Sequence, residues 1–373
     1  TSTTTMTVLV NPAISVAGGS GITTTQGIVG TSLAFTSDTS TGTGVKTFSL
    51  TPTIGGITID PTTGVVTTSD TLTAGTYTES VTATDTLGVK GYKTMTILIN
   101  PVVTVTGGSN ITTTTGIARS SAAFQGNNGT GTKSYSIAPT VTGISINATT
   151  GVVTVDTNTA AGTYTETVTA TDTVNATGYK LITILVNVPV QIANGSNITT
   201  TFGLAKTSSA FTATGGTSPI TFSIAPGTNG ISINSSTGVV TVSATTPAGT
   251  YIETVTATDS VTATSTTTMT VLVNPAISVA GGSGITTTQG IVGTSLAFTS
   301  DTSTGTGVKT FSLTPTIGGI TIDPTTGVVT TSDTLTAGTY TESVTATDTL
   351  GVKGYKTMTI LINPVVTVTG GSN

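Results

Sequence analysis

Recurring acidic residues are the first candidates for chemistry in this chain. One set of glutamates ends the string GTYTE, or GTYIE in the third occurrence: Glu79, Glu166, Glu253 and Glu342. Alternation along the strand puts Glu79 on the same side as Tyr77 and Val81, the side expected to face a core. We expect its carboxylate to reach solvent near the strand end or to cap backbone donors. The competing interpretation is a carboxyl that serves an intramolecular covalent staple.

A second acidic position follows Ala-Thr in each occurrence of the pattern: Asp85, Asp172, Asp259 and Asp348. Calcium sites need six or more oxygen ligands and usually several carboxylates together. The segment between consecutive units, such as Leu98 to Val102, contains no acid. The sequence therefore favours a turn-capping aspartate over a calcium ligand.

Asparagine followed by any residue and then Ser or Thr is the acceptor pattern for N-glycosylation. It occurs at Asn110, Asn128, Asn147, Asn175, Asn194, Asn197 and Asn234. Several such sequons arise by chance in a chain this rich in Thr and Asn. They are candidate glycan sites if the source organism glycosylates exported proteins.

Composition excludes most other chemistry. The 373 residues include no His, no Cys and no Trp, and only 7% are charged. The usual ligands for zinc, haem or iron–sulfur clusters and the Ser-His-Asp triad are therefore missing, and we expect no enzyme activity and no cofactor. Ten basic residues against fifteen acidic ones leave no electrostatic footprint for nucleic acid. No run of 18 apolar residues predicts a membrane span.

The spacing of the repeats predicts the domain organisation. The GTY strings begin at Gly75, Gly162, Gly249 and Gly338, at intervals of 87, 87 and 89 residues, and residues 1–110 are identical to residues 264–373. Such a period is too long for a solenoid rung and suits a free-standing sandwich domain. The predicted domains are 12–100, 101–187, 188–274 and 275–363, here called repeats 1 to 4. We expect 1–11 to be the final strand of a preceding domain and 364–373 to begin another, so that the natural terminus lies elsewhere.

Strand-forming residues dominate every repeat. Thr supplies more than a quarter of the chain, and Thr, Val, Ile and Tyr favour strands. In repeat 2 we predict eight strands, near 102–105, 111–115, 121–124, 133–137, 144–146, 151–155, 162–171 and 179–187. Turns follow from glycine after an Asp/Asn-x-x-Thr run, at Gly64, Gly151, Gly238 and Gly327, each expected to have a positive φ. We also expect the apolar end of the last strand, Ile97 to Ile99, to be buried on both faces.

The pattern resembles a known group of repeats. Aromatic-Ser-aliphatic strands such as Tyr135-Ser136-Ile137 precede GISINATTGVVTV and then AGTYTETVTATD, from Gly143 to Asp172. This run resembles the Ig-like and cadherin-like tandem repeats of large bacterial or archaeal extracellular surface proteins. The resemblance implies an all-β, seven-strand, Greek-key type sandwich in a rod-like array, extracellular or at the cell surface. It also implies a tyrosine corner at Tyr77, Tyr164, Tyr251 and Tyr340.

The resemblance also bears on the staple, because some Ig-like adhesin domains bury a carboxyl beside a Lys–Asn isopeptide or a Thr–Gln ester. The partner residues do not recur here. Lys206 in repeat 3 corresponds roughly to Arg119 in repeat 2 and to Val29 in repeat 1.

Three functions fit these predictions. The first is a structural building block of a long extracellular fibre, whose nearly linker-free joints at Asn100-Pro101 would be stiff. The alternatives are the stalk of a giant adhesin and a surface-layer or carbohydrate-binding repeat. The expected partners are further copies of the same domains, joined by covalent continuation of the chain or by strand addition through residues 1–11.

Overall fold

Among the residues that the structure describes, regular secondary structure consists of β-strands, which turns and loops connect. The structure is a computed structural model that describes residues 1–368 and 370–371. Contacts divide the chain into two compact units, Thr1–Val188 and Pro189–Asn373. The prediction of an all-β fold of tandem sandwich domains is confirmed. The exact domain boundaries remain a prediction.

Unit 1 holds the strands of repeats 1 and 2. Those of repeat 1 are β1 (Val16–Gly18), β2 (Ile22–Thr25), β3 (Phe35–Ser37), β4 (Thr47–Thr51), β5 (Ile57–Ile59), β6 (Val66–Thr68), β7 (Gly75–Thr84) and β8 (Lys90–Asn100). Those of repeat 2 are β9 (Thr104–Gly107), β10 (Ile111–Thr114), β11 (Arg119–Ser120), β12 (Phe124–Asn127), β13 (Ser134–Ala138), β14 (Ile144–Ile146), β15 (Val153–Val155), β16 (Gly162–Thr171) and β17 (Thr177–Asn187).

Unit 2 repeats the same order. Repeat 3 contains β18 (Gln191–Asn194), β19 (Ile198–Thr201), β20 (Lys206–Thr207), β21 (Phe211–Thr214), β22 (Thr221–Ala225), β23 (Ile231–Ile233), β24 (Val240–Val242), β25 (Gly249–Thr258) and β26 (Thr264–Asn274). Repeat 4 contains β27 (Val279–Gly281), β28 (Ile285–Thr288), β29 (Phe298–Ser300), β30 (Thr310–Thr314), β31 (Ile320–Ile322), β32 (Val329–Thr331), β33 (Gly338–Thr347) and β34 (Lys353–Asn363).

Repeat 2 shows how the sheets are built. A four-stranded sheet runs in the order β10-β17-β16-β13, in which β10 is parallel to β17 and the other pairs are antiparallel. The other layer consists of the pair β9-β12 and the three-stranded piece β11-β15-β14. Buried side chains of both layers, including Phe124, Val153, Val168 and Ile184, form the core between them. Each of the other repeats has an equivalent core of its own.

Alternation along the long strands separates the two faces of the four-stranded sheet. In β16, Val168 and Ala170 are fully buried, whereas Thr163 and Thr165 on the other side are exposed. The threonines that alternate with these buried residues therefore form the outer face of the sheet. The prediction of an end of β8 buried on both faces is wrong, because Leu98 is 37% exposed between the buried Ile97 and Ile99.

The predicted strand near 121–124 is also wrong. Strand β11 ends at Ser120 and β12 begins only at Phe124, and the two belong to different pieces of the second layer. Ser121 lies between them, and its backbone amide donates to the carbonyl oxygen of Val153 at 2.8 Å. Its hydroxyl accepts from the amide of Val153 at 3.1 Å. The chain therefore changes partners at Ser121 without losing its hydrogen bonds.

Glycine turns occur where the sequence predicts them. Gly64, Gly151, Gly238 and Gly327 have φ angles of 69°, 67°, 68° and 66°. A Cβ at Gly151 would lie 2.5 Å from the carbonyl oxygen of Phe124. Both the left-handed conformation and the close approach of backbone therefore require glycine at this turn.

The segments outside the four repeats contain no strand among the described residues. Thr1–Val10 is exposed, although its sequence is identical to that of Thr264–Val273 in β26. Whether 1–11 is the last strand of a preceding domain remains a prediction. In 364–373, the predicted start of another domain, Thr369, Ser372 and Asn373 lie outside the described residues.

Candidate functional site

The junction between repeats 1 and 2 is built from polar side chains of both repeats. Thr25 at the end of β2 and Asn100 at the end of β8 are parallel partners in one sheet. Across the junction lie Thr130, in the turn after β12, and Asp172, directly after β16. Thr25 is fully buried and Asp172 is 5% exposed. We call these four residues the junction latch.

Hydrogen bonds connect every member of the latch. Thr25 Oγ1 donates to Asp172 Oδ2 at 2.5 Å and lies 2.9 Å from Thr130 Oγ1. The backbone amide of Thr130 donates to the same Oδ2 at 2.8 Å. Asn100 Nδ2 donates to Thr130 Oγ1 at 3.0 Å. Repeat 1 thus contributes two side chains that reach a carboxylate and a hydroxyl of repeat 2.

The other carboxylate oxygen of Asp172 caps a turn. Its Oδ1 accepts from the backbone amides of Val174 and Ala176, each at 2.9 Å. Burial raises the pKa of the Asp172 carboxyl, but the hydrogen bonds from Thr130, Thr25, Ala176 and Val174 outweigh this effect and hold the pKa below its usual value. The carboxylate therefore remains charged near neutral pH without a basic partner, because donors surround both oxygens.

An apolar contact accompanies the polar one. Val103 and Ala176 are buried in a small cluster of repeat 2, and Ile28 of repeat 1 packs against it. Only Pro101 to Val103 separate β8 from β9. The junction therefore combines a three-residue connection, an apolar contact and a buried hydrogen-bond network.

Unit 2 contains the same latch between repeats 3 and 4. Thr201 Oγ1 donates to Asp348 Oδ2 at 2.7 Å and lies 2.7 Å from Thr306 Oγ1. Asn274 Nδ2 donates to Thr306 Oγ1 at 2.9 Å. Two junctions formed by different sequences thus share one geometry.

The aspartate caps a turn, as the sequence predicts, but its role at the junction was not predicted, because Asp172 lies far from Asn100 in sequence. The available signal was the recurrence of the ITTT string, whose last threonine is Thr25, Thr114, Thr201 or Thr288. Among the described residues, no group of three or more His, Cys, Asp or Glu side chains is close enough to hold a metal ion.

Comparison with known proteins finds similar solved structures but no related sequence. No family model matches it, and no curated protein matches its sequence. Among solved structures, the immunoglobulin domains 1–5 of Sidekick-1 match at a TM-score of 0.35 and 11% identity, covering 94% of this chain and 81% of that one. Extracellular cadherin domains 3–6 of protocadherin gamma B2 match at 0.29 and 16%, covering 93% and 98%.

Drosophila N-cadherin EC1–4 matches at 0.27 and 15%, covering 86% of this chain and 93% of that one. These solved structures consist of cadherin or immunoglobulin domains, the classes of repeat that the sequence motifs resemble. At these identities the likeness concerns the fold alone.

The recurring glutamates lie in the cores and away from solvent. Glu79, Glu253 and Glu342 are 0% exposed and Glu166 is 1% exposed. The expectation of a carboxylate that reaches solvent is therefore wrong, because β7 and its counterparts place this side chain in the core, opposite Met95 in repeat 1. Capping of a backbone donor occurs in repeat 3, where Glu253 Oε2 accepts from the amide of Gly227 at 2.9 Å.

Lys206 does not hydrogen-bond to Glu253 among the contacts of the described residues. Lys206, the lysine weighed as a staple partner, is directed elsewhere, and its Nζ donates to the carbonyl oxygen of Thr199 at 2.8 Å. Oε1 of Glu253 has no hydrogen-bond partner.

The four tyrosines of the GTY strings share one contact. Each hydroxyl donates to the carbonyl oxygen four residues earlier: Tyr77 to Thr73 at 2.8 Å, Tyr164 to Ala160 at 2.9 Å, Tyr251 to Pro247 at 2.8 Å and Tyr340 to Thr336 at 2.9 Å. This is the geometry of a tyrosine corner, in which the ring covers the edge of the core and the hydroxyl ties down the preceding loop.

The seven sequon asparagines are all exposed. Several use their side-chain oxygen to hold backbone, so that Nδ2, the atom that would carry a glycan, takes no part in those hydrogen bonds. Asn147 Oδ1, for example, accepts from the amides of Thr149 and Thr150, each at 2.9 Å. Asn110 Oδ1 accepts from the amide of Thr183 at 3.0 Å. Glycan occupancy remains a prediction.

Proposed function

We propose that this chain is a structural building block of a long extracellular fibre made of tandem Ig-like domains. The observation that supports it best is the junction latch, because two repeats joined by three residues and a buried hydrogen-bond network resist bending. A flexible connection would need a longer, solvated linker. On this proposal, the partner of each repeat is the next repeat, and no catalysis is involved.

Imaging of the native object tests the proposal. A fibre model predicts a filament whose axial period corresponds to one repeat or to the three-repeat cassette of 263 residues. A thread that ends in a distinct head would instead favour the adhesin stalk, the main alternative. A two-dimensional lattice on the cell envelope would favour a surface-layer repeat.

The carbohydrate-binding alternative rests on a recurring exposed aromatic residue. Tyr92, Tyr179 and Tyr355 are 64%, 74% and 65% exposed on the outer face of the four-stranded sheet, and repeat 3 has Thr266 at this position. Carbohydrate sites commonly stack sugars on aromatic side chains. Loss of polysaccharide binding in a Tyr92→Ala, Tyr179→Ala and Tyr355→Ala triple variant would support this role.

Glycosylation is a further part of the proposal. The sequons fall only in 101–274, so N-glycans would decorate repeats 2 and 3 and leave repeats 1 and 4 bare. Intact-mass and glycopeptide measurements on the native protein test it. Peptides that contain Asn147 at its unmodified mass would exclude that site.

Two modes of assembly remain to be distinguished. Repeats continue either through peptide bonds or through strand addition by 1–11, which has the sequence of the end strand β26. Denaturing electrophoresis separates them: material too large for the gel indicates a covalent giant, whereas a band near the size of a cassette indicates subunits.

A further inference from the structure

Every glutamate of this protein occupies one structural position. The 373-residue sequence contains fifteen acidic residues, and only four of them are glutamates. All four lie on equivalent long strands and are 0–1% exposed. The aspartates, by contrast, are mostly placed in turns. A sequence that uses glutamate only in the core assigns that side chain a specific role in the fold.

The surroundings of Glu79 supply no hydrogen bond. Neither Oε1 nor Oε2 of Glu79 has a partner, and the same holds for both oxygens of Glu342. A buried ionised carboxylate without donors is strongly destabilising, whereas a protonated carboxylic acid avoids most of that penalty.

No charged group approaches Glu79 from the elements packed around it. On β8, Lys93 is directed to the carbonyl oxygen of Gly18 at 2.6 Å, and Lys90 pairs with Thr84 at the far end of the sheet. Strands β2, β4, β5 and β6 carry no ionisable residue. Asp60 follows β5 in an exposed turn and Asp70 is exposed in the loop after β6.

Repeat 3 provides a contrast within the same molecule. There Glu253 Oε2 accepts the amide of Gly227 at 2.9 Å. The residue at the position of Gly227 in repeat 1 is Thr53. A hydrogen bond to an ionised carboxylate stabilises the charged form.

We propose that Glu79 and Glu342 are protonated carboxylic acids in the folded repeats, and that repeats 1 and 4 therefore lose stability as the pH rises. Burial raises the pKa of the Glu79 and Glu342 carboxyls above the usual value. The sign follows from linkage. Below the pKa of the unfolded chain both states hold the proton, and above it only the folded state does, so stability falls with rising pH until the folded pKa is passed.

Selective labelling tests the protonation state directly. With only four glutamates in the chain, ¹³C labelling of their carboxyl carbons gives few resonances to follow in a pH titration of the full chain. Two variants assign these resonances: the double variant Glu79→Gln, Glu342→Gln and the single variant Glu253→Gln. We expect the Glu79 and Glu342 carbons to titrate above the usual glutamate pKa of about 4.3. Titration at that ordinary value would overturn the proposal.

Hydrogen exchange gives the consequence for stability. Repeats 1 and 4 share their sequence, so both glutamates are changed together and peptides from 75–84 report both. After correction for intrinsic rates, protection of these peptides should decline as the pH rises above the unfolded glutamate pKa of about 4.3, and the Glu79→Gln, Glu342→Gln variant should abolish the decline. The Glu253→Gln variant should leave it unchanged. The proposal is contradicted if protection in the wild type does not change with pH, or if it declines equally in the double variant.

Discussion

Thr25 donates its hydroxyl proton to the carboxylate of Asp172 across the junction between repeats 1 and 2, with 2.5 Å between Oγ1 and Oδ2. The two residues are 147 positions apart, and Thr201 and Asp348 repeat the contact at the same separation. A hydrogen bond between a hydroxyl and a buried carboxylate is short and stronger than one between neutral groups. The repeated contact therefore provides the clearest means of testing how one domain holds the next.

Replacing Thr25 by valine should loosen the junction while keeping the side-chain shape. The change removes one hydrogen bond to a charged group, for a loss of about 1.5–3 kcal/mol. Because Asp172 then lacks a donor, the backbone amide of Thr130 should exchange faster. Hydrogen exchange on the peptide around Thr130, which is unique to repeat 2, measures the change.

Thr23→Val provides the matched control, since Thr23 is exposed on the same strand. It should leave exchange at Thr130 unaltered. If both variants speed exchange at Thr130 equally, valine acts by disturbing β2 and not by removing the hydrogen bond to Asp172. If neither variant changes this exchange, the role of the latch is contradicted.

Acid should weaken the junction before it unfolds the repeats. The pKa of Asp172 is lowered in the fold, so its contribution is present above the unfolded value of about 3.9 and is lost as the pH falls through the folded pKa. Glu79 has the opposite sign. Small-angle scattering on the full chain below pH 4 should show greater flexibility while strand content in circular dichroism persists. If strand content is lost at the same pH at which flexibility increases, this order is contradicted.

Removing the tyrosine-corner hydroxyl should destabilise a repeat modestly. Tyr164→Phe deletes the hydrogen bond to the carbonyl oxygen of Ala160 and keeps the ring, so we expect a loss of about 0.5–1.5 kcal/mol. Protection of the core strands of repeat 2 from hydrogen exchange measures the free energy of its unfolding. Tyr179→Phe on the exposed outer face should change it by less than about 0.5 kcal/mol.

Alanine at Gly151 should destabilise repeat 2 severely. It combines a positive φ with a Cβ 2.5 Å from the carbonyl oxygen of Phe124. Gly116→Ala has a φ of 93° but no atom within 4 Å of the new Cβ, so it isolates the cost of the conformation, about 1–2 kcal/mol. Chemical denaturation should show a larger loss for Gly151→Ala. Equal losses would mean that the close approach to Phe124 contributes nothing.

Local sequence patterns predicted the strands, their two faces and the turns, because these features depend on residues that are close in sequence. The alternation of Thr with Val and Ala in 162–171 predicted the strand, its two faces and the inward direction of Glu166, because side chains alternate strictly along a strand. Gly151 predicted a turn, because only glycine adopts a positive φ there without steric strain. The breaks in the second layer were not predictable, because the change of partners at Ser121 depends on Val153, far along the chain.

The sequence by itself determined the all-β class, the period of the repeats and the positions of the core residues. Only the tertiary structure decided what Thr25 and Glu79 do. Thr25 is fully buried because Thr130 and Asp172 of repeat 2 pack against it. Burial is a property of what packs against a residue. A residue's own sequence neighbours cannot specify a contact made by a carboxylate 147 positions away.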